Sequence, residues 1–518
     1  MSTSKVKAKT TPNIPLNIYI TRTGTYIKDT VKLNHEFIKK IKNYYTLSDK
    51  QIMGYYKHTS VWKYKNHDLY IPRFGSLLLK NKFNDISFIN EIVPKNPLTN
   101  ISYKGIFKGN QEIIFDEIME NWFNEDKMKA GKAGLILNLQ AGHGKSFLGM
   151  ALINALSCRT LIVTHNTSKL NEWVKILKEY CPGVSIGEYY GKKKIYGDIM
   201  VGVINSLTMD DMRLATHPPL PDLSNPRAFY DSFDFIIFDE CHEFCSPTRS
   251  KIYDICQTPY ILGLSATPDE RTSDSLDKVV HWSIGPILQA DKIEGYTLDD
   301  INFKGRVTKV SYTDHVDYTE HIINETTEMT STPLMIGQLC SSPYRLNMIV
   351  SLILEQHAKG LNILVFADRR TYLETIRLTL DAKGYNDVEI LDDAKTAKTT
   401  GEAAKTDSIR LVGGSTAADM QLAIDSKSII LSTYQYFGTG ISLPKLNAVV
   451  LTTPRKSKSR QFINRIFRLG SNYDIERQII DIVDVKTCLK TQWYKRKEYY
   501  DEQGFEIDDR KVKWKDFE

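Results

Sequence analysis

No apolar run among these 518 residues approaches the roughly 18 residues that a membrane-spanning helix needs, so the expectation is a chain with no membrane partner. The opening segment, MSTSKVKAKTTPN, is polar and basic and has no apolar signal-peptide core. Cysteine is scarce: there are seven, with no CxxC spacing. That excludes a disulfide scaffold and leaves little for zinc. The nearest cluster is Cys241, Cys245 and Cys256, and Cys241 belongs to a stretch with a better explanation. Reduced thiols in an intracellular protein are expected. Acidic residues are few at one end. Residues 1–100 hold 17 Lys/Arg against 6 Asp/Glu, whereas the whole chain carries only +6, so the remainder is net acidic. A basic, tyrosine-rich start suits either a phosphate backbone with stacked bases or an ordinary solvated surface. No convincing internal repeat is present. Charged residues at 25% and hydrophobics at 42% are ordinary for a globular protein, and the length suggests about three domains.

What is present is an alternation. Residues 17–98 mix short strand and helix patterns (NIYITRTGTYI, LNHEFIKKIKNYY, HDLYIPRFGSLLL), which predicts a small α+β module. An amphipathic helix, NQEIIFDEIMENWF, then leads to an apolar strand, GLIL. RTLIVTH, IMVGVINS, FDFIIFD and YILGLSA read as further buried strands, with SKLNEWVKILKEY as a helix between two of them. Short Val/Ile/Leu runs alternating with helices predict a parallel sheet. Residues 290–344 are Thr-rich, break the rhythm and read as a connector. The rhythm resumes in NILVFAD, SIILSTY, NAVVLTT and QIIDIVD. DDAKTAKTTGEAAKTD reads as a surface loop.

Between the first strand and its helix lies NLQAGHGKSF. A strand, a glycine-bearing loop and a helix N-terminus are what phosphate binding needs: backbone N–H groups point at the anion, and the helix dipole favours it. Gly142 and Gly144 allow close approach. His143 lies in the same loop. Lys145 is placed to reach the β- and γ-phosphates and Ser146 to ligate Mg²⁺. The strict pattern GxxxxGK[ST] fails because Leu139 stands at its first glycine, so the loop alone is also consistent with a plain βα turn. Asp239-Glu-Cys-His242 ends the FDFIIF strand. Carboxylates at that edge suit Mg²⁺ coordination (Asp239) and orientation of an attacking water (Glu240). Ser265-Ala-Thr267-Pro268 follows the next strand, where small hydroxyls can bond the acidic motif. In QFINRIFR, helical spacing puts Gln461, Arg465 and Arg468 on one face, as a charge-neutralising arginine pair requires.

These four elements, in this order, resemble the superfamily 2 helicases and translocases across residues 100–485. QAGHGKS resembles motif I, DECH motif II, SATP motif III and QFINRIFR motif VI. Thr164 with SKLNEW resembles motif Ia, although His165 replaces the usual proline. YYGKKK and VINSL, with Ser206, are similar to the neighbouring strand-contact elements, and NILVFADRR to motif IV. STYQYFGTGISLP resembles motif V through Thr433 and Gly440, with Ser442 where an Asp is common. Asn464 replaces the usual glycine of motif VI. Gln111 matches the glutamine that recognises adenine.

The resemblance implies two tandem RecA-like parallel-sheet domains of α/β class, with an N-terminal α+β module and a short C-terminal helical extension. The implied boundaries are a basic disordered tail at 1–16, the module at 17–98, the first RecA-like domain at 99–289, the connector at 290–344, the second RecA-like domain at 345–485 and the extension at 486–518. It implies ATP and Mg²⁺ as cofactors, with Lys145, Asp239, Glu240, Gln461, Arg465 and Arg468 catalytic. Gln111, Gly142, His143, Gly144, Ser146 and Gly440 would contact the nucleotide. His242, Ser265 and Thr267 would couple its state to the strand, and Thr164, Ser206 and Thr433 would contact nucleic acid.

IPRF, PRKSKSRQFINR and the tail IIDIVDVKTCLKTQWYKRKEYYDEQGFEI are similar to the poxvirus transcript-release DNA helicase family and its relatives in large cytoplasmic DNA viruses. That points to DNA in preference to RNA, to a viral RNA polymerase complex as partner, and to the host cytoplasm (the virus factory) and the virion. An RNA helicase, a repair translocase and an ATPase clamp or scaffold that unwinds nothing are the alternatives.

Overall fold

The computed structural model describes residues 16–50, 56–82, 86–99, 101–140, 143–208, 226–268, 275–297, 304–324, 328–384, 388–391, 428–434, 445–455, 459–467 and 474–518. The disordered tail (but for its last residue) and the polar loop at 392–407 expected above lie outside them. The chain divides into two units, residues 1–299 and 300–518.

The first unit opens with a five-stranded sheet in the order Lys63–Lys65, Asp68–Ile71, Gly24–Ile27, Leu16–Thr21, Ile86–Asn90. The last pair is parallel and the others antiparallel. Ile18 and Ile20 alternate with more exposed residues, the period-two signature of a strand with one face on a core. The helix His35–Tyr44 is started by Asn34, whose side chain accepts from the Glu36 amide at 2.9 Å.

This module does not stand apart from the large sheet that follows. Its buried residues and those of the large sheet's near face form one continuous core. Tyr45 and Trp282 meet edge to face at 5.3 Å. Arg22 and Asp234 form a buried ion pair, and the Asp234 carboxylate also accepts from the backbone amides of Lys95 (2.7 Å) and Asn96. A carboxylate with no solvent exposure persists only when its oxygens are satisfied in this way.

The large sheet has eight strands in the order Lys193–Ile195, Ile186–Tyr190, Ile199–Val203, Thr160–Thr164, Phe235–Asp239, Tyr260–Ser265, Gly134–Asn138, Ile287–Gln289. All neighbours are parallel except the first pair. The central strands are buried throughout, which is why they read as unbroken apolar runs.

The second unit is built on seven parallel strands in the order Val388–Leu391, Ile429–Thr433, Ile363–Ala367, Ala448–Leu451, Arg477–Asp484, Gly305–Thr313, Glu506–Lys513. Two of these depart from the sequence reading. Gly305–Thr313 falls in the stretch read as a connector, yet it pairs with a strand on each side. Glu506–Lys513 adds a strand to an extension expected to be helical. Five of its eight residues are charged, and it sits at the sheet edge, where charge discourages pairing with another chain. The helix expected there is present as Gln492–Glu502. Arg496 on it makes two 2.7 Å bonds to Asp481, and the Tyr500 hydroxyl donates to the same carboxylate at 2.8 Å. A second buried pair, Arg345–Asp484, ties the helix Pro343–Ala358 to the same strand. No described helix is long and apolar enough to cross a membrane.

Candidate nucleotide site and nucleic-acid face

Strand order in the large sheet brings the motifs together. Gly134–Asn138, which leads into the glycine loop, lies beside Tyr260–Ser265, and that strand lies beside Phe235–Asp239. Register pairs Ser265 with Asn138 and Asp239 with Leu264. All three C-terminal ends therefore open on one edge, where ligands of such sheets bind.

Gly144 takes φ +83° and caps the twelve-residue helix Lys145–Leu156. A Cβ on Gly144 would come within 2.1 Å of Gln111 Nε2, so only glycine fits there. Gln111 Oε1 accepts from the Lys108 amide at 3.0 Å, and its Nε2 donates to the His143 carbonyl at 3.4 Å. The structure thus sets Gln111, His143 and Gly144 in contact. Lys145 Nζ donates to the carbonyls of Leu139 (2.9 Å) and Gln140 (3.4 Å), oxygens that stand where phosphate oxygens are expected. Ser146 follows in the first helical turn. Gly142 lies outside the described residues.

Asp239 is buried, and its Oδ2 accepts from Trp173 Nε1 at 3.0 Å. Burial raises the Asp239 carboxyl; Lys169 opposes this, Glu240 reinforces it and the Trp173 bond opposes it. Glu240 holds the left-handed conformation, φ 53°, which a non-glycine residue keeps only where its surroundings enforce it. Burial would raise its carboxyl too, but Lys145, then His242, Lys169 and His165, outweigh it and hold the group at about 2. Glu240 therefore stays ionised at neutral pH and suits orientation of a water more than strong proton abstraction. Burial lowers His165 to about 4, so its ring is neutral.

His242 Nδ1 and Ser265 Oγ are 2.8 Å apart and buried, and the Thr267 amide donates to Ser265 Oγ at 3.0 Å. The three residues read as coupling groups form one connected chain from the acidic motif to the next strand end. Trp173 and Lys169 were not singled out from sequence. They lie one helical turn apart in SKLNEW, and that spacing was the available signal.

On the nucleic-acid side, one expectation needs correction. Thr164 is fully buried, and its hydroxyl donates to the carbonyls of Asn166 (3.1 Å) and Gly202 (3.3 Å), so it does not offer a strand a free donor. Ser206 is partly exposed, and its hydroxyl accepts from the Gly191 amide at 3.1 Å. That bond joins VINSL to the turn of the YYGKKK hairpin, where Lys192 and Lys193 are exposed.

In the second unit, Thr433 ends the Ile429–Thr433 strand and is buried. Asp368, at the end of the neighbouring strand, pairs with Arg455 at 2.8 Å and accepts from Thr453 Oγ1 at 3.5 Å. The single helical face expected for QFINRIFR is not formed. The α-helix Ser459–Ile463 tightens to a 3₁₀ turn at Asn464–Ile466. There the Asn464 side chain accepts from Tyr499, and the Ile466 carbonyl accepts from Arg477 at 2.8 Å. Arg465 lies in that turn. Arg468, Gly440 and Ser442, and the side chain of Gln461, lie outside the described residues.

Residues 106–270 match the family described as "Type III restriction enzyme, res subunit". The chain is 28% identical over 511 residues to a protein of African swine fever virus (isolate Tick/Malawi/Lil 20-1/1983) named as an ATP-dependent RNA helicase, covering 93% of this chain and 90% of that one. A second, so named in Acanthamoeba polyphaga mimivirus, is 25% identical over 505 residues, covering 94% and 86%. A third, named as a DNA 3'-5' translocase in Sulfurisphaera tokodaii, is 23% identical over 390 residues, covering 72% and 81%. The chain belongs to the superfamily 2 helicases, enzymes that use ATP. Within them its place is with the ATP-dependent helicases of large DNA viruses.

Proposed function

We propose that this chain hydrolyses ATP with Mg²⁺ to move along DNA, and that it serves transcript release from a viral RNA polymerase complex in the host cytoplasm. The observation that carries the ATPase part is the convergence of Lys145, Asp239, Glu240 and the His242–Ser265 bond on adjacent strand ends. The donor chemistry fits the cofactor: Ser146 and Asp239 offer the hard oxygens that Mg²⁺ takes, and Lys145 already holds two oxygens. Bound Mg²⁺ would neutralise phosphate charge and offset the burial cost of Asp239.

The chain's own residues do the rest. Backbone N–H groups of the glycine loop and Lys145 hold the phosphates, Gln111 selects adenine, and Glu240 orients water. Arg465 and Arg468, with Gln461, supply positive charge to the transferred phosphoryl group, and Gly440 belongs to the same nucleotide set. Ser206, the Lys192–Lys193 turn and Thr433 serve the strand, whose contacts would fall mostly on phosphate and so be salt-sensitive.

DNA as the track rests on the resemblance to the transcript-release family and on the absence of a DEAD-box signature beside Gln111. The second reading is an RNA helicase, favoured by the names of the two viral relatives. ATP hydrolysis measured with single-stranded DNA, duplex DNA and RNA separates them. Stimulation by DNA is expected; stimulation by RNA alone moves the protein to the second reading.

The His242–Ser265 bond gives a further expectation. Ser265→Ala should leave strand-stimulated hydrolysis within a few-fold of wild type, roughly the cost of one buried hydrogen bond. It should also abolish strand displacement. Equal loss of both activities would put Ser265 in the hydrolytic machinery instead.

A further inference from the structure

A cavity of about 370 Å³ lies in the first unit, where the small sheet meets the large one. Three residues on its wall, Thr25, Tyr253 and Gln257, each carry a buried polar atom without a hydrogen-bond partner: the Thr25 hydroxyl, the Tyr253 hydroxyl and Gln257 Oε1. Native proteins leave few such groups, and three around one cavity call for a polar ligand. The wall is also cationic. Arg73 is 1% exposed and donates only to the carbonyls of Gly131 (2.9 Å), Thr258 (2.6 Å) and Pro259 (3.3 Å), with no carboxylate paired to it among the described residues. Burial pulls its guanidinium down to about 9, the mark of a charge short of compensation. Lys65 and Lys251 add positive charge, and Lys63 spans to Asp254 on the large-sheet side. Tyr64, also on the wall, is 46% exposed, which leaves ring surface for a base to stack on.

Cations, unpaired polar atoms and an accessible aromatic ring together match one ligand class. We propose that this cavity binds a single nucleotide, with its phosphate on the lysine side and its base and sugar toward Thr25, Tyr253 and Gln257. The nucleotide comes either from the bound strand or from free mononucleotide, and the first source rests on the nucleic-acid reading above. The volume suits either, being at the lower end of small-ligand sites.

The test uses the full chain and its Thr25→Val/Tyr253→Phe double variant. Both substitutions remove hydroxyls that have no partner, so the variant should melt at or above the wild-type temperature. Two probes are used without ATP: anisotropy of a labelled oligothymidylate, and the melting shift produced by uridine monophosphate. About ten-fold weaker strand binding by the variant assigns the cavity to a strand nucleotide. A melting shift seen in wild type and lost in the variant, with equal strand binding, assigns it to free mononucleotide. Identical behaviour of the two proteins toward both probes overturns the proposal. Failure of wild type to bind any strand counts against the strand source and the function proposed above, while the uridine monophosphate arm still decides the cavity.

Discussion

Lys145→Ala and Glu240→Gln are each expected to lower ATP turnover by about 10²–10³-fold or more, the scale for losing one preorganised group that stabilises the reacting phosphoryl. The argument is local. Lys145 Nζ is buried and held on two carbonyl oxygens at the mouth of the glycine loop. Replacement by Ala removes the only cation of that loop. Glu240 is kept ionised by Lys145 and its neighbours, and a glutamine keeps its shape while losing its charge. Strand affinity should change little in either variant, because the strand is expected to bind through other groups. Phosphate release under saturating strand is the readout. Turnover within a few-fold of wild type would remove that residue from its assigned role.

Arg496→Met is expected to destabilise the second unit by about 3–5 kcal/mol, because breaking a buried ion pair leaves the other charge unpaired. Asp481 has no solvent exposure and takes two of its three hydrogen bonds from Arg496. The remaining bond, from Tyr500, cannot compensate an ionised carboxylate. The double variant Arg496→Met/Asp481→Leu should recover much of the loss, since an apolar pair of similar volume is often no worse. Denaturant unfolding followed by circular dichroism measures both. A loss below about 1 kcal/mol for the single variant would mean that the pair is solvated in solution.

The account of this ion pair also shows where the sequence was legible. FIIF, TLIVT and ILVFA announce themselves as central strands because both faces are buried and every position is apolar. The helix Gln492–Glu502 was readable as well. Its partner strand was not: EIDDRKVK is charged because it forms an edge, so burial leaves almost no pattern in it. Gly305–Thr313 was hidden for a related reason, since only Val307 and residues 310–312 are buried. The fusion of the N-terminal module with the large sheet depends on Arg22 meeting Asp234 and on Arg73 reaching Thr258, pairings far apart in the chain that no local pattern encodes.

The candidate site divides in the same way. The glycine loop, DECH and SATP were visible as motifs. Their adjacency came from strand order, and the Trp173 bond to Asp239 came from a helix read only as a helix. Thr164 misled because its position matched, while its hydroxyl turned inward to Gly202.

The central claim is that hydrolysis at this site drives movement along a strand. The most direct measurement is displacement of a third strand from a DNA triplex by the full chain, with Glu240→Gln as the blank. The account predicts displacement with ATP, none with a non-hydrolysable analogue and none with the variant. Displacement that persists in Glu240→Gln, or none by wild type while DNA still stimulates hydrolysis, would contradict it.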